Sequence, residues 1–173
     1  MKSILNAEVD NLMEKNKMEK RFLKGLLIGN LLILLPVLFR KPPIKDWIFV
    51  YLYNAVTNGL IDMLLTSYKV IRYPVRFLPN LFNIHILFDF LIYPTFTVCY
   101  NQLTKKDKPF VVLYKLILFT IPFLFIEIWA ERKTKLIKWK KGWKWYHTYF
   151  SIILKSLLTR SIIEALRKMK FLR

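Results

Sequence analysis

Residues 81–100 read LFNIHILFDFLIYPTFTVCY, and the reading of this stretch decides the fold. A helix needs about 20 predominantly apolar residues to cross the hydrocarbon core of a bilayer, and this stretch is that long. It also carries His85 and Asp89, four positions apart and therefore on one helical face. A charged side chain at the bilayer centre costs about 2.5–3.5 kcal/mol on insertion scales, so such residues turn inward and pair. The stretch therefore predicts a membrane helix whose polar face looks at other helices.

Similar apolar blocks lie on either side. A first span is expected over 22–39, with Pro36 near its end and a Gly25/Gly29 spacing that permits close helix approach. A second runs over 47–67. Trp47 opens it as an interfacial anchor, and Asn54, Asn58 and Asp62 stand at i, i+4 and i+8 on one face. The opening stretch is the third span. A fourth covers 110–131 and carries Lys115, Pro122, Glu127 and Glu131. Residues 145–166 are apolar overall yet hold Lys155 and Arg160. Their polar stripe (Thr148, Ser151, Lys155 and Thr159) is narrow, which suits a fifth crossing better than a helix lying in the interface. The expected fold is all-α: a polytopic transmembrane bundle of five membrane helices. It is one domain over 22–166, preceded by a polar cytoplasmic segment 1–21 and followed by a basic tail 167–173.

Composition agrees with a membrane class. Of 173 residues, 55% are hydrophobic, and they come in long blocks. The net charge of +18 must then sit at the headgroups. Lys and Arg number six in 1–24, three in 68–80 and seven in 132–144, against three in each of the two loops on the other side. The richer side is cytoplasmic, which places the N-terminus inside a multi-pass cell-membrane protein. A fifth crossing carries Arg160, Arg167, Lys168, Lys170 and Arg173 to the poorer side and weakens that bias. The segment 132–144 is an expected headgroup-binding stretch. It sets Arg132, Lys133, Lys135, Lys138, Lys140, Lys141 and Lys144 among Trp139 and Trp143, cations for anionic phospholipid and indoles for the interfacial belt. The first apolar run starts only after a charged segment, so no cleaved signal peptide is expected. Nucleic-acid binding is not expected, because no soluble domain remains to carry it. Homo-oligomer formation is open.

Depth then sorts the polar residues. With spans alternating in direction and about 1.5 Å of rise per residue, Asp62, His85 and Glu127 fall about 7–10 Å to the cytoplasmic side of the midplane. Asn30, Asn58, Asp89 and Lys155 fall near the midplane. Two arrangements are expected: an Asp89–Lys155 ion pair completed by asparagine amides, and a cluster of Asp62, His85 and Glu127. Such a cluster could fix helix register, relay protons or hold a cation. No HxxxH, HExxH or CxxC spacing, no Gly-rich phosphate loop and no Gly-x-Ser-x-Gly elbow is present. No catalytic residue, metal or cofactor is therefore assigned. Cys99 is the single cysteine and sits in an apolar span.

The motifs Phe88-Asp89-x-x-Ile92-Tyr93-Pro94 and Lys138-Trp139…Trp143-x-Trp145-Tyr146-x-x-x-Phe150 carry a resemblance. The chain resembles an uncharacterised family of small multi-spanning integral membrane proteins of spore-forming Gram-positive bacteria, from about Leu26 onward. That resemblance implies five spans and an acid ahead of Tyr-Pro in the third; it implies no activity. The expected function is a structural, accessory or sensing role. The alternatives are a proton- or cation-coupled transporter or channel, and an enzyme acting on a lipid-embedded substrate.

Overall fold

The computed structural model describes the backbone of residues 2–41 and 43–169 and the side chains of 17–41 and 43–169. Most side chains of the segment 1–21, and residues 170–173 of the basic tail, lie outside the described residues. Five helices follow in order: α1 (Lys2–Phe39), α2 (Ile44–Ser67), α3 (Tyr93–Leu103), α4 (Pro109–Lys133) and α5 (Trp145–Lys168). A π-helical turn, Phe88–Ile92, leads into α3. Strands β1 (Ile71–Arg72) and β2 (Lys138–Trp139) form a short antiparallel ribbon, Ile71 opposite Trp139 and Arg72 opposite Lys138. Three helical stretches are long and apolar enough to cross a membrane: Lys17–Phe39 of α1, α2 and α4.

Apolar side chains gather at both ends of the bundle. Near the ribbon, Leu23 of α1, Ile71, Tyr73, Leu87 and Ala130 of α4 form one core. At the other end, Trp47 and Val50 of α2 pack with Val98 of α3 and Ile163 of α5, against Val37 and Leu38 of α1. Asp46 and Asp62 mark the two ends of α2, about 24 Å apart at 1.5 Å per residue. The five helices therefore run between the same two ends in alternating directions. α1 continues unbroken through the expected boundary at 21/22, because Leu23 and Glu19 both dock on the ribbon end. The Glu19 carboxylate accepts the Lys135 N–H at 2.7 Å.

Helix α3 sits at the centre. Both its apolar and its polar residues are buried, including Thr95, Thr97, Asn101 and Gln102. Their donors find carbonyl partners, while Asn101 Oδ1 has none among the described residues. Thr95, Thr97 and Asn101 donate to the carbonyls one turn back at 2.7–2.8 Å, and Gln102 donates to Val37 O on α1 at 2.6 Å. The surrounding helices carry the reverse pattern, apolar outward. On α5, Phe150, Leu154 and Leu158 are 66%, 62% and 51% exposed, while Ser156, Thr159 and Arg160 are buried. Such exposure of large apolar residues is costly in water and natural against lipid.

The helix of the opening stretch differs from expectation. It begins at residue 86 and runs to Leu103, so residues 81–85 are not helical. Arg76 supplies the reason. Its guanidinium donates to Tyr73 O at 2.9 Å, Pro79 O at 2.9 Å, Phe82 O at 2.5 Å and Asn83 Oδ1 at 3.2 Å. Carbonyls that would otherwise need a helix ladder are satisfied by one side chain, and Leu78 takes up a left-handed conformation within that loop (φ 52°).

Pro94 has no N–H to give the carbonyl of Phe90 one turn back. Tyr51 of α2 donates its hydroxyl there instead, at 2.6 Å. The Tyr93 N–H reaches five residues back to Phe88 O, which makes the π turn. Gly59 leaves room beside it: a Cβ there would stand 2.7 Å from the tip of the Phe90 ring, which would have to shift. Trp47, expected at an interface, is fully buried and donates to Lys41 O.

Arg160 caps the far end of α3. It donates to Asn101 O at 3.4 Å, Thr104 O at 3.0 Å and Lys105 O at 3.3 Å, and pairs with Glu164 at 2.6 Å. A cation at a helix C-terminus also meets the favourable end of the macrodipole. Arg160→Met should lower unfolding stability in detergent by about 2–3 kcal/mol, since charged hydrogen bonds are lost and buried carbonyls are orphaned. Gly29→Ala, where a Cβ meets nothing within 4 Å, should leave stability unchanged or raise it slightly, as read by denaturant or thermal unfolding.

Candidate functional site

The site is built where the ribbon end of α2 meets the π turn. α2 carries Asn54, Asn58 and Asp62 on one face because they repeat every four residues, and that face looks inward. Asn54 is fully buried and Asp62 is 5% exposed. The π turn delivers Asp89, 3% exposed, to the same place. The two carboxyls lie near enough to act on each other's charge.

Asp62 is held on both oxygens. Oδ1 accepts the Tyr73 hydroxyl at 2.8 Å, and Oδ2 accepts the His85 backbone N–H at 3.3 Å. Burial, and then the carboxyls of Asp62 and Asp89 beside it, push the Tyr73 phenol well above its usual range. Tyr73 therefore remains a hydrogen-bond donor at physiological pH. Among the described residues Asp89 Oδ2 has no hydrogen-bond partner.

The His85 imidazole takes a supporting part. Its Nδ1 accepts the Phe88 N–H at 3.3 Å, and its ring lies edge-on to Tyr73 with centroids 5.4 Å apart. His85 therefore reaches Asp62 through its backbone, and its ring positions Tyr73. It stands just ahead of the helix rather than within a span, and its carbonyl accepts the Asp89 N–H at 3.0 Å.

Lys155 does not form the expected direct ion pair with Asp89 among the described residues. Its ammonium donates to Asn58 Oδ1 and, at 3.5 Å, to Asn54 O, and it lies 4.7 Å from the centre of the Tyr93 ring. Two amide oxygens and an aromatic face take the place of a carboxylate, and a cation over a ring is worth about 0.5–2 kcal/mol. Lys155 still lies within electrostatic reach of Asp89. Thr159 extends the network by donating to Asn54 Oδ1 at 3.2 Å, and Tyr93 meets Ser156 at 3.3 Å. Asn30 accepts from Thr95 at 3.2 Å, apart from Lys155.

Glu127 leaves the expected cluster. It accepts Thr148 Oγ1 at 3.0 Å and Trp139 Nε1 at 3.3 Å, and Trp143 Nε1 donates to Thr148 at 2.9 Å. These indole N–H groups of the 132–144 segment point into the protein, so Trp139 and Trp143 fasten the ribbon to α4 and α5. Lys138 turns to the Glu131 carbonyl. Arg132, Lys133, Lys140, Lys141 and Lys144 stay exposed, while Lys135 is half-buried.

Two ionised carboxylates about 4 Å apart would repel by about 4 kcal/mol at an effective dielectric near 20. One proton held between Asp62 and Asp89 would leave a single negative charge within electrostatic reach of Lys155. No group of three or more His, Cys, Asp or Glu side chains is arranged to hold a metal ion among the described residues.

Sequence reasoning missed Tyr73, which sits in a loop where nothing in its neighbours marks it. It also missed the Asp46–Arg167 pair at 2.5 Å, which ties α2 to the end of α5 with Trp47 under the guanidinium. A carboxylate at the start of an apolar helix was the available signal.

No family model matches the chain, and neither a curated protein nor a solved structure is similar to it.

Lys155→Met should destabilise the detergent-solubilised protein by about 2–4 kcal/mol, because it leaves a buried charge uncompensated. Adding Asp89→Asn should recover part of that loss. A double variant as unstable as the two single losses added together would contradict the charge balance, read by a double-mutant cycle on unfolding.

Proposed function

We propose that this chain is a multi-pass membrane protein that crosses the bilayer five times, with its N-terminus cytoplasmic, and serves a structural, accessory or sensing role. One observation carries the reading: polar side chains are spent on one another inside, while apolar side chains face out. α5 supports the fifth crossing. A helix lying at the interface would present Lys155, Thr159 and Arg160 to water, and here they are turned to α2 and α3. α3, too short and too polar to cross alone, needs no apolar exterior because four helices shield it.

The groove beside the site bears on the alternatives. It has a volume of about 650 Å³ and reaches Tyr73, yet Asp62, Asp89 and Glu127 do not line it. A transporter needs a wet route to the buried acid, and an enzyme of a lipid substrate needs its carboxylates facing the substrate. An internally bonded network of this kind favours a register-setting element.

Two measurements test this. With Cys99 replaced by Ser, single cysteines placed at Lys106 and Lys168 should be labelled from the same side of sealed vesicles, and one at Lys141 from the opposite side. Labelling of Lys168→Cys on the side of Lys141→Cys would overturn the fifth crossing. In proteoliposomes with an imposed pH gradient, wild type and Asp89→Asn should leak protons equally. A flux in wild type that Asp89→Asn abolishes would overturn the structural role in favour of transport.

A further inference from the structure

The groove at the ribbon end is built from unlike halves. Met63, Leu81, Phe82 and Ile84 give it apolar walls, while Arg72 and Arg76 give it positive charge. Its size falls within the range of small-molecule sites, about 300–1,000 Å³. It opens where the outward face of α2 changes from Leu60, Met63 and Leu64 to Thr66 and Ser67. That is the depth at which acyl chains give way to headgroups.

The two arginines differ. Arg76 is engaged by its own loop, as described above. Arg72 is exposed and has no hydrogen-bond or ion-pair partner among the described residues. It stands directly across the ribbon from Lys138, and like charges opposite each other destabilise a strand pair. Lys138 escapes toward Glu131. Arg72 stays at the groove, where an anion would offset the repulsion and take up its planar fork of donors.

We propose that the groove seats an anionic phospholipid of the leaflet at the ribbon end, its phosphate on Arg72 and the upper part of its chains against Met63 and Phe82. Charge complementarity and continuity with the apolar face of α2 select this occupant. The proposal rests on the membrane reading above. It also gives the sensing role a ligand: Tyr73 lines the groove and donates to Asp62, so a lipid in the groove lies one side chain from the carboxyl pair.

The test uses the full chain in a neutral detergent, titrated with dioctanoyl phosphatidylglycerol, dioctanoyl phosphatidylcholine and inorganic phosphate, with binding read by native mass spectrometry. Phosphatidylglycerol should bind saturably. Loss of one charge-assisted contact in Arg72→Gln should weaken it about tenfold. Ser67→Phe, which fills the groove, should weaken it as much, while Lys106→Gln, at the opposite end of the bundle, should not. Equal affinity of wild type and Arg72→Gln, equal weakening by Lys106→Gln, or equal binding of phosphatidylcholine would overturn the proposal. Inorganic phosphate displacing the lipid at equal concentration would overturn the lipid as occupant. Release of the wild-type chain from native membranes by alkaline carbonate, without detergent, would instead overturn the membrane reading underneath.

Discussion

Two carboxyl groups set side by side away from water constrain the rest of this protein. Asp62 comes from α2 and Asp89 from the π turn, and neither can be left alone at that depth. Tyr73 and the His85 backbone hold the first. A cation on α5, steadied by two asparagines and a tyrosine ring, balances the pair from the far side. Three helices and a loop must therefore arrive in one register. A one-residue slip of α2 would rotate Asn54, Asn58 and Asp62 away together, because they share a face.

The π turn is what allows Asp89 to arrive. Pro94 takes a donor out of the helix, and the chain answers by reaching five residues back and by borrowing the Tyr51 hydroxyl. Gly59 lets the Phe90 ring lie close against α2. Backbone chemistry that would be a defect elsewhere aims an acid inward here. The same logic holds at the far end, where Arg160 closes the α3 terminus and Arg167 closes on Asp46. Both ends of the bundle are fastened by charged groups, and the middle by amides and hydroxyls.

Much of this was legible in the sequence. The apolar blocks of α1, α2 and α4 have the length of a crossing, and the i, i+4, i+8 spacing put three polar residues on one face of α2. Alternation alone put Asn30, Asn58, Asp89 and Lys155 at a common expected height; Lys155 meets Asn58 and lies within electrostatic reach of Asp89, while Asn30 bonds to Thr95 instead. What failed did so for physical reasons. Residues 81–85 are apolar enough for a helix, but Arg76 bonds the Phe82 carbonyl and the Asn83 side chain and ties them to the loop at Tyr73 and Pro79. Glu127 faces away from Asp62 and His85, and it bonds to Thr148 and Trp139. Trp47, Trp139 and Trp143 carry the composition of an interfacial belt, yet their indoles donate inward. Periodicity and depth gave no sight of Tyr73, because a loop side chain obeys neither.

The central claim is that one proton is shared by the two acids while Lys155 carries the balancing charge. Infrared difference spectroscopy of the protein in lipid reads it most directly, through the carbonyl stretch of a protonated carboxyl at neutral pH. The account predicts that signal in wild type and its loss in both Asp62→Asn and Asp89→Asn. A signal that survives in both variants, or one missing from wild type, would contradict it.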